Sequence, residues 1–143
     1  MSIQAPEPSS GVRRTSQRDW RSLPFDPDEA VTTTAEGPSS LTITQSRDGD
    51  VAVVRLDGEL DMLGCPAVQR ALEAAAPLAD EIVLDLRGLE FIDSTGLRCV
   101  YEHDRERRLL YGGSLVCLVS AGGPVRRVID LVGLSDELDV RAG

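Results

Sequence analysis

The 143-residue chain contains no lysine; all fifteen of its basic side chains are arginine, set against 24 acidic residues for a net charge of −9. The acidic surplus lies mostly in residues 39–143, which hold 18 acids and 11 arginines. Nucleic-acid binding rests on neutralising phosphates with a basic surface, commonly interleaved with aromatics. An acidic chain with no such stripe excludes nucleic acid as a partner. No run approaches the roughly 18 apolar residues that a membrane span needs, so no membrane partner is expected. Arg13-Arg14 precedes no hydrophobic segment. The start therefore does not read as an export signal, and the expected location is cytoplasmic.

Other shortages narrow the chemistry. Beyond residue 38 the aromatics are Phe91, Tyr101 and Tyr111, so the core has to be built from Val, Leu, Ile and Ala. Histidine occurs once, at His103, and Cys65, Cys99 and Cys117 stand far apart with no C-x-x-C spacing. That donor set does not make a structural zinc site. No metal and no cofactor is expected, and the thiols are read as reduced and partly buried. The length suits one domain with a single modest core.

Residues 1–38 hold five of the eight prolines and show neither helical nor strand period, which predicts a disordered N-terminal arm. Within it Trp20, Leu23 and Phe25 make a small apolar cluster, D-W-R-S-L-P-F-D, suited to docking on the domain or on a partner, unless the arm is simply a flexible extension. A folded domain is expected over 39–143. Leu41–Thr44 alternates and 51–56 is a stronger apolar run, with Asp48-Gly49 between them as a hairpin signal. The Asp-Gly-Asp triplet at 48–50 lacks the later ligands of a calcium loop. Pro66, then Val68, Ala71, Leu72 and Ala75, describe an amphipathic helix stopped by Pro77.

The stretch 81–97, E-I-V-L-D-L-R-G-L-E-F-I-D-S-T-G-L, organises the remainder. Ile82–Leu86 is the aliphatic run of a central, doubly covered strand, and Phe91-Ile92 is a second short apolar piece. Asp93-Ser94-Thr95-Gly96 follows with the residue types that start helices, and Ser94 is expected there as the cap, its hydroxyl exposed at the positive helix end. The helix is predicted over 94–111, with Leu97, Val100 and Tyr101 on one face. Its middle, 102–108, is almost wholly charged, with Asp104–Arg108 and Glu102–Arg105 pairs expected. Gly112-Gly113 ends it. A buried strand over 114–119 follows. Pro124 opens a helix with Val125, Val128, Ile129 and Val132 inward and Gly133 as its stop, and a weak strand or turn covers 134–140. The order ββαβαβα(β) gives an α/β fold, a mixed sheet of four to five strands with helices mainly on one face.

Catalysis finds no support in these residues. Asp93 stands three residues before Gly96 rather than the two of an aspartic protease, and there is no second copy. The nucleophile elbow G-x-S-x-G is missing around Ser94. His103 lies nine residues along the same helix, roughly 13 Å away along the axis, too far for a Ser–His pair. No phosphate-cradling glycine motif is present.

Residues 81–97, together with Gly58-Glu59-Leu60-Asp61 and V-R-R-V-I-D-L-V-G-L at 125–134, resemble the sulfate-transporter and anti-sigma-antagonist (STAS) domain. The D-S-T-G-L run is most similar to the D-S-[ST]-G-L motif of the anti-sigma factor antagonists, also called anti-anti-sigma factors. The resemblance covers about residues 41–140 and implies a STAS-like sheet. It implies that Ser94 is the phosphorylated residue, with Thr95 a minor candidate. It also implies a partner surface made of Gly58, Glu59, Leu60, Asp61, Asp93, Ser94, Thr95, Gly96 and Leu97. The partner would be an anti-sigma factor that is a serine kinase, which supplies its own ATP and magnesium, with a phosphatase to reset the switch. The chain itself would be a cytoplasmic monomer acting in partner switching, transcription regulation and stress response. The alternative is a constitutive STAS scaffold or transporter-associated module in which Ser94 is only a helix cap.

Overall fold

The computed structural model describes residues 31–35, 40–112 and 115–142, and the apolar cluster around Trp20 lies outside them. Among the described residues six strands form one sheet in sequence order: β1 (Val31–Ala35), β2 (Leu41–Asp48), β3 (Val51–Leu60), β4 (Glu81–Ile92), β5 (Leu115–Val119) and β6 (Asp139–Ala142). The helices among the described residues are α1 (Cys65–Ala75), α2 (Ser94–Tyr111) and α3 (Pro124–Leu131), with a short 3₁₀ turn over Ala76–Leu78 after α1. Strands β1 to β3 pair antiparallel and β3 to β6 pair parallel. The α/β fold with a mixed sheet is as expected.

The first strand lies within the segment read as the arm. Residues 31–35, assigned to the arm, pair with β2 from Val31 opposite Gln45 to Ala35 opposite Leu41. The segment V-T-T-T-A is polar by composition, yet its β-branched residues favour extended backbone once an edge is available. The sheet accordingly has one strand more than the four to five anticipated.

The parallel centre is doubly buried, as its aliphatic run dictates. Residues 82–84 and Leu86 are at most 1 % exposed, and β5 is buried throughout. Gly49 turns the β2–β3 hairpin with φ 61°. Pro66 stands in the first turn of α1, whose buried residues Ala67, Val68, Ala71, Leu72 and Ala75 are the predicted stripe. One large core takes residues from all three helices and from alternate positions of the strands, so the helices lie on one face.

Helix α2 departs from a simple apolar stripe. Beside Leu97, Cys99 and Val100 it buries His103, Asp104 and Arg107. Asp104 accepts the Leu115 amide N–H at 3.0 Å and pairs with Arg108 at 3.0 Å. Arg107 donates to the carbonyls of Ala79 and Asp80. These polar groups satisfy backbone at the openings of β4 and β5, so the charged middle of the helix serves as packing. The expected Glu102–Arg105 pair does not form: Glu102 pairs with Arg98, and Arg105 stands 6.0 Å over the Tyr101 ring. Helix α3 is also shorter than expected. Val132 follows its last residue and is half exposed, because Gly133 at φ 77° turns the chain away, while Val125 and Ile129 are buried.

Candidate functional site

The predicted motif residues meet at the carboxyl ends of β3 and β4. Leu60 and Ile92 end these parallel strands opposite each other. Two register shifts, between Arg55 and Asp57 and between Gly58 and Glu59, bend β3 just before its end. Gly58 takes φ 107°, where a Cβ would run into the Ser40 carbonyl oxygen. That close approach lets the Glu59 amide donate to Ser40 O at 2.9 Å and fixes the path of the 58–61 segment.

The start of α2 is welded to that segment. Asp93 N–H donates to Leu60 O at 3.2 Å, and the Leu97 amide closes the first helical turn on Asp93 O at 3.0 Å. Gly96 packs so tightly that a Cβ would sit 2.8 Å from Leu60 O and 2.9 Å from Leu60 Cγ. Glycine is required here by closeness, not by dihedral freedom. The Cys65 thiol, in the first turn of α1, reaches the carbonyls of Asp61 and Thr95 at 3.5 and 3.7 Å. All three segments therefore share one set of backbone contacts.

The cap is Asp93, not Ser94. Its backbone is extended, and its carboxylate accepts the Gly96 amide N–H at 2.7 Å. A carboxylate suits the helix N-terminus better than a hydroxyl because it also meets the helix dipole. Ser94 becomes the first residue of the helix proper, exposed, and Thr95 beside it is exposed as well.

Among the other predicted site residues, Glu59 is exposed and Asp61 half-buried, with its carboxylate accepting the Leu63 amide at 3.0 Å. Leu60, Gly96 and Leu97 are buried and act from beneath the surface. Sequence reading missed the apolar members of this end. Met62 is 64 % exposed, Leu63 50 % and Phe91 47 %, the last paired in register with Glu59. The signal available was the pair Met62-Leu63 standing apolar in a turn directly after G-E-L-D.

Burial pushes the thiols up, Cys99 and Cys117 both to about 12, and raises Cys65 too. None is poised as a nucleophile. Away from this end, Glu73, His103 and Glu106 bring one ligand atom each within 4.8 Å of one another beside a cavity of about 280 Å³. Glu73 comes from α1, so spacing along the chain gave no sign of the cluster. Two of its members are exposed carboxylates and the Arg107 cation shares the cavity lining, so no metal role is assigned.

Comparison with known proteins agrees with this geometry. A family sequence model described as "Mlab, STAS domain" matches residues 43–140. The chain is similar to the anti-sigma-F factor antagonist RsfB of Mycobacterium tuberculosis, 31 % identical over 100 residues that cover 68 % of this chain and 78 % of the relative. It is 31 % identical over 97 residues to an anti-sigma F factor antagonist of Paenibacillus polymyxa, covering 66 % and 81 %. Among solved structures, an anti-sigma factor antagonist from Mycobacterium paratuberculosis superposes with TM-score 0.58 at 25 % identity, covering 84 % of this chain and 92 % of that one. Unphosphorylated SpoIIAA shares the fold at TM-score 0.55 and 24 % identity, over 70 % of this chain and 88 % of that one. From the 43–140 match and these relatives, the chain belongs to the STAS domain family, among the anti-sigma factor antagonists.

Proposed function

We propose that this chain is a non-enzymatic anti-sigma factor antagonist whose unphosphorylated form binds an anti-sigma serine kinase and thereby releases a sigma factor, and that phosphorylation of Ser94 ends the binding. The observation that carries the reading is the position of Ser94. It is exposed at the first residue of α2, beside the 58–61 segment, and its hydroxyl has no capping duty because Asp93 performs it. Glu59, Asp61, Ser94 and Thr95 form the polar part of the contact, and Met62, Leu63 and Phe91 its apolar rim. Leu60, Gly96 and Leu97 hold these in place from below.

The mechanism is electrostatic. A phosphate adds about −1.5 to −2 charge. The helix N-terminus favours it by about 0.3–1 kcal/mol, in the free and the bound protein alike, so that term does not decide binding. Each unit of like charge about 5 Å away across the interface costs roughly 3 kcal/mol at an effective dielectric near 20. One such clash weakens binding about a hundredfold, which suffices for a switch. Resetting it falls to a phosphatase; the chain acts as a cytoplasmic monomer, and residues 31–142 form its folded unit.

The test is an affinity capture from native extract with the wild type, Ser94→Ala and Ser94→Asp chains as baits. A serine kinase retained by the Ala bait and lost from the Asp bait supports the switch. Equal retention by all three baits rejects it in favour of a constitutive scaffold.

A further inference from the structure

The sheet has two faces, and the described helices cover one. On the other, Val51, Val53, Val83, Val116 and Leu118 form a second apolar cluster that takes no residue from any described helix. They adjoin across the strands, Val53 beside Val83 and Val83 beside Val116. Arg55 with Asp57, Asp85 with Arg87 and Asp139 with Arg141 border them as ion pairs. An aliphatic patch in the middle of an open sheet face would be wet. These five residues are only 0–6 % exposed.

We propose that residues 19–26, D-W-R-S-L-P-F-D, dock on this helix-free face as a cover supplied by the chain itself, with Trp20, Leu23 and Phe25 seated over β3, β4 and β5. Burial of the cluster in a single chain, with no described residue from outside the sheet joining it, is the first support. Reach is the second. The described chain begins at Val31 in β1, three strands from β4. At about 4.8 Å per strand and a layer spacing of about 10 Å, the path from Val31 to the face above β4 is roughly 17 Å. Six residues from Phe25 to Val31 span up to about 20 Å. The proposal is independent of the Ser94 switch.

Trp20 is the chain's single tryptophan, so its fluorescence reports the docking directly. The experiment compares acrylamide quenching of the full chain with that of a synthetic peptide of residues 1–30. The expected result is several-fold weaker quenching in the full chain. Two substitutions that keep volume, Val53→Thr with Val116→Thr, should restore quenching to the peptide's level while circular dichroism stays native. Should that pair unfold, Leu23→Ser with Phe25→Ser in the arm makes the same test without touching the sheet, again with restored quenching expected. Equal quenching of full chain and peptide overturns the proposal. So does protection that survives both pairs of substitutions, or protection that disappears on dilution, which would make a second copy the cover.

Discussion

The Asp93 carboxylate accepts the Gly96 amide N–H at 2.7 Å, and this one bond separates two roles that the motif D-S-T-G otherwise confounds. Capping falls to Asp93, leaving Ser94 exposed with its hydroxyl unclaimed. Asp93→Ala should cost about 1 kcal/mol of folding stability, as N-cap removal usually does, whereas Ser94→Ala should change it by less than about 0.5 kcal/mol. Urea titration of the two variants checks this, and the reverse order would return the cap to Ser94.

Gly58 at φ 107° is fixed both by its dihedral and by the nearby Ser40 carbonyl. Gly58→Ala should destabilise by more than about 1 kcal/mol and displace the 58–61 segment, weakening partner binding together with stability. Gly112→Ala is the control: it shares the positive φ but meets nothing within 4 Å. Thermal melts should rank Gly58→Ala clearly below it.

Asp104 is 1 % exposed and accepts the Leu115 N–H, tying α2 to β5. Asp104→Ala leaves that buried amide without its acceptor and should cost about 2–4 kcal/mol. Asp104→Asn keeps an acceptor oxygen and should lose less. Burial raises the Asp104 pKa, against the lowering effect of the Leu115 bond and Arg108. The folded state therefore holds this proton more tightly than the unfolded state. The resulting stability is full below the ordinary aspartate pKa and is lost as pH rises through the raised folded value. The stability difference between wild type and Asp104→Asn should shift in favour of wild type on acidification across that window, and a shift the other way would contradict the assignment.

Cys117 is fully buried, and its thiol is pushed up to about 12 by desolvation, then by Asp104 and Asp139. Its neutral form supports the fold fully below the ordinary thiol value near 9. Between pH 9 and 12 this group should lower stability progressively, because the thiol ionises in the unfolded chain and not in the folded one. Cys117→Ser should show a shallower alkaline loss in chemical denaturation at stepped pH; identical slopes would mean that the thiol does not titrate on unfolding.

Much of this was legible in the sequence, and the parts that were not have physical reasons. The aliphatic run of β4 declared a central, doubly covered strand, since few other settings bury consecutive residues, and the runs of β3 and β5 read as further apolar strands. The stripe of α1 was equally plain. Strand β1 was hidden because V-T-T-T-A lies in proline-rich, polar surroundings and extends only against the edge of β2. The polar inner face of α2 was unreadable from periodicity: Asp104 and Arg107 are buried to bind backbone at Leu115, Ala79 and Asp80, contacts made 11 to 28 residues away. At the candidate site, the motif residues named from the sequence lie together in the fold, but the division between those that are buried and those that face outward required the structure. Leu60 and Leu97 proved internal, while Met62 and Leu63 supplied the surface.

The central claim is that charge on Ser94 controls partner binding, and the most direct measurement is the affinity of the captured kinase partner for two otherwise identical chains. One carries phosphoserine installed at position 94; the other is unmodified. The account predicts about a hundredfold weaker binding for the phosphorylated chain, with both equally folded. Equal affinity of the two would contradict it.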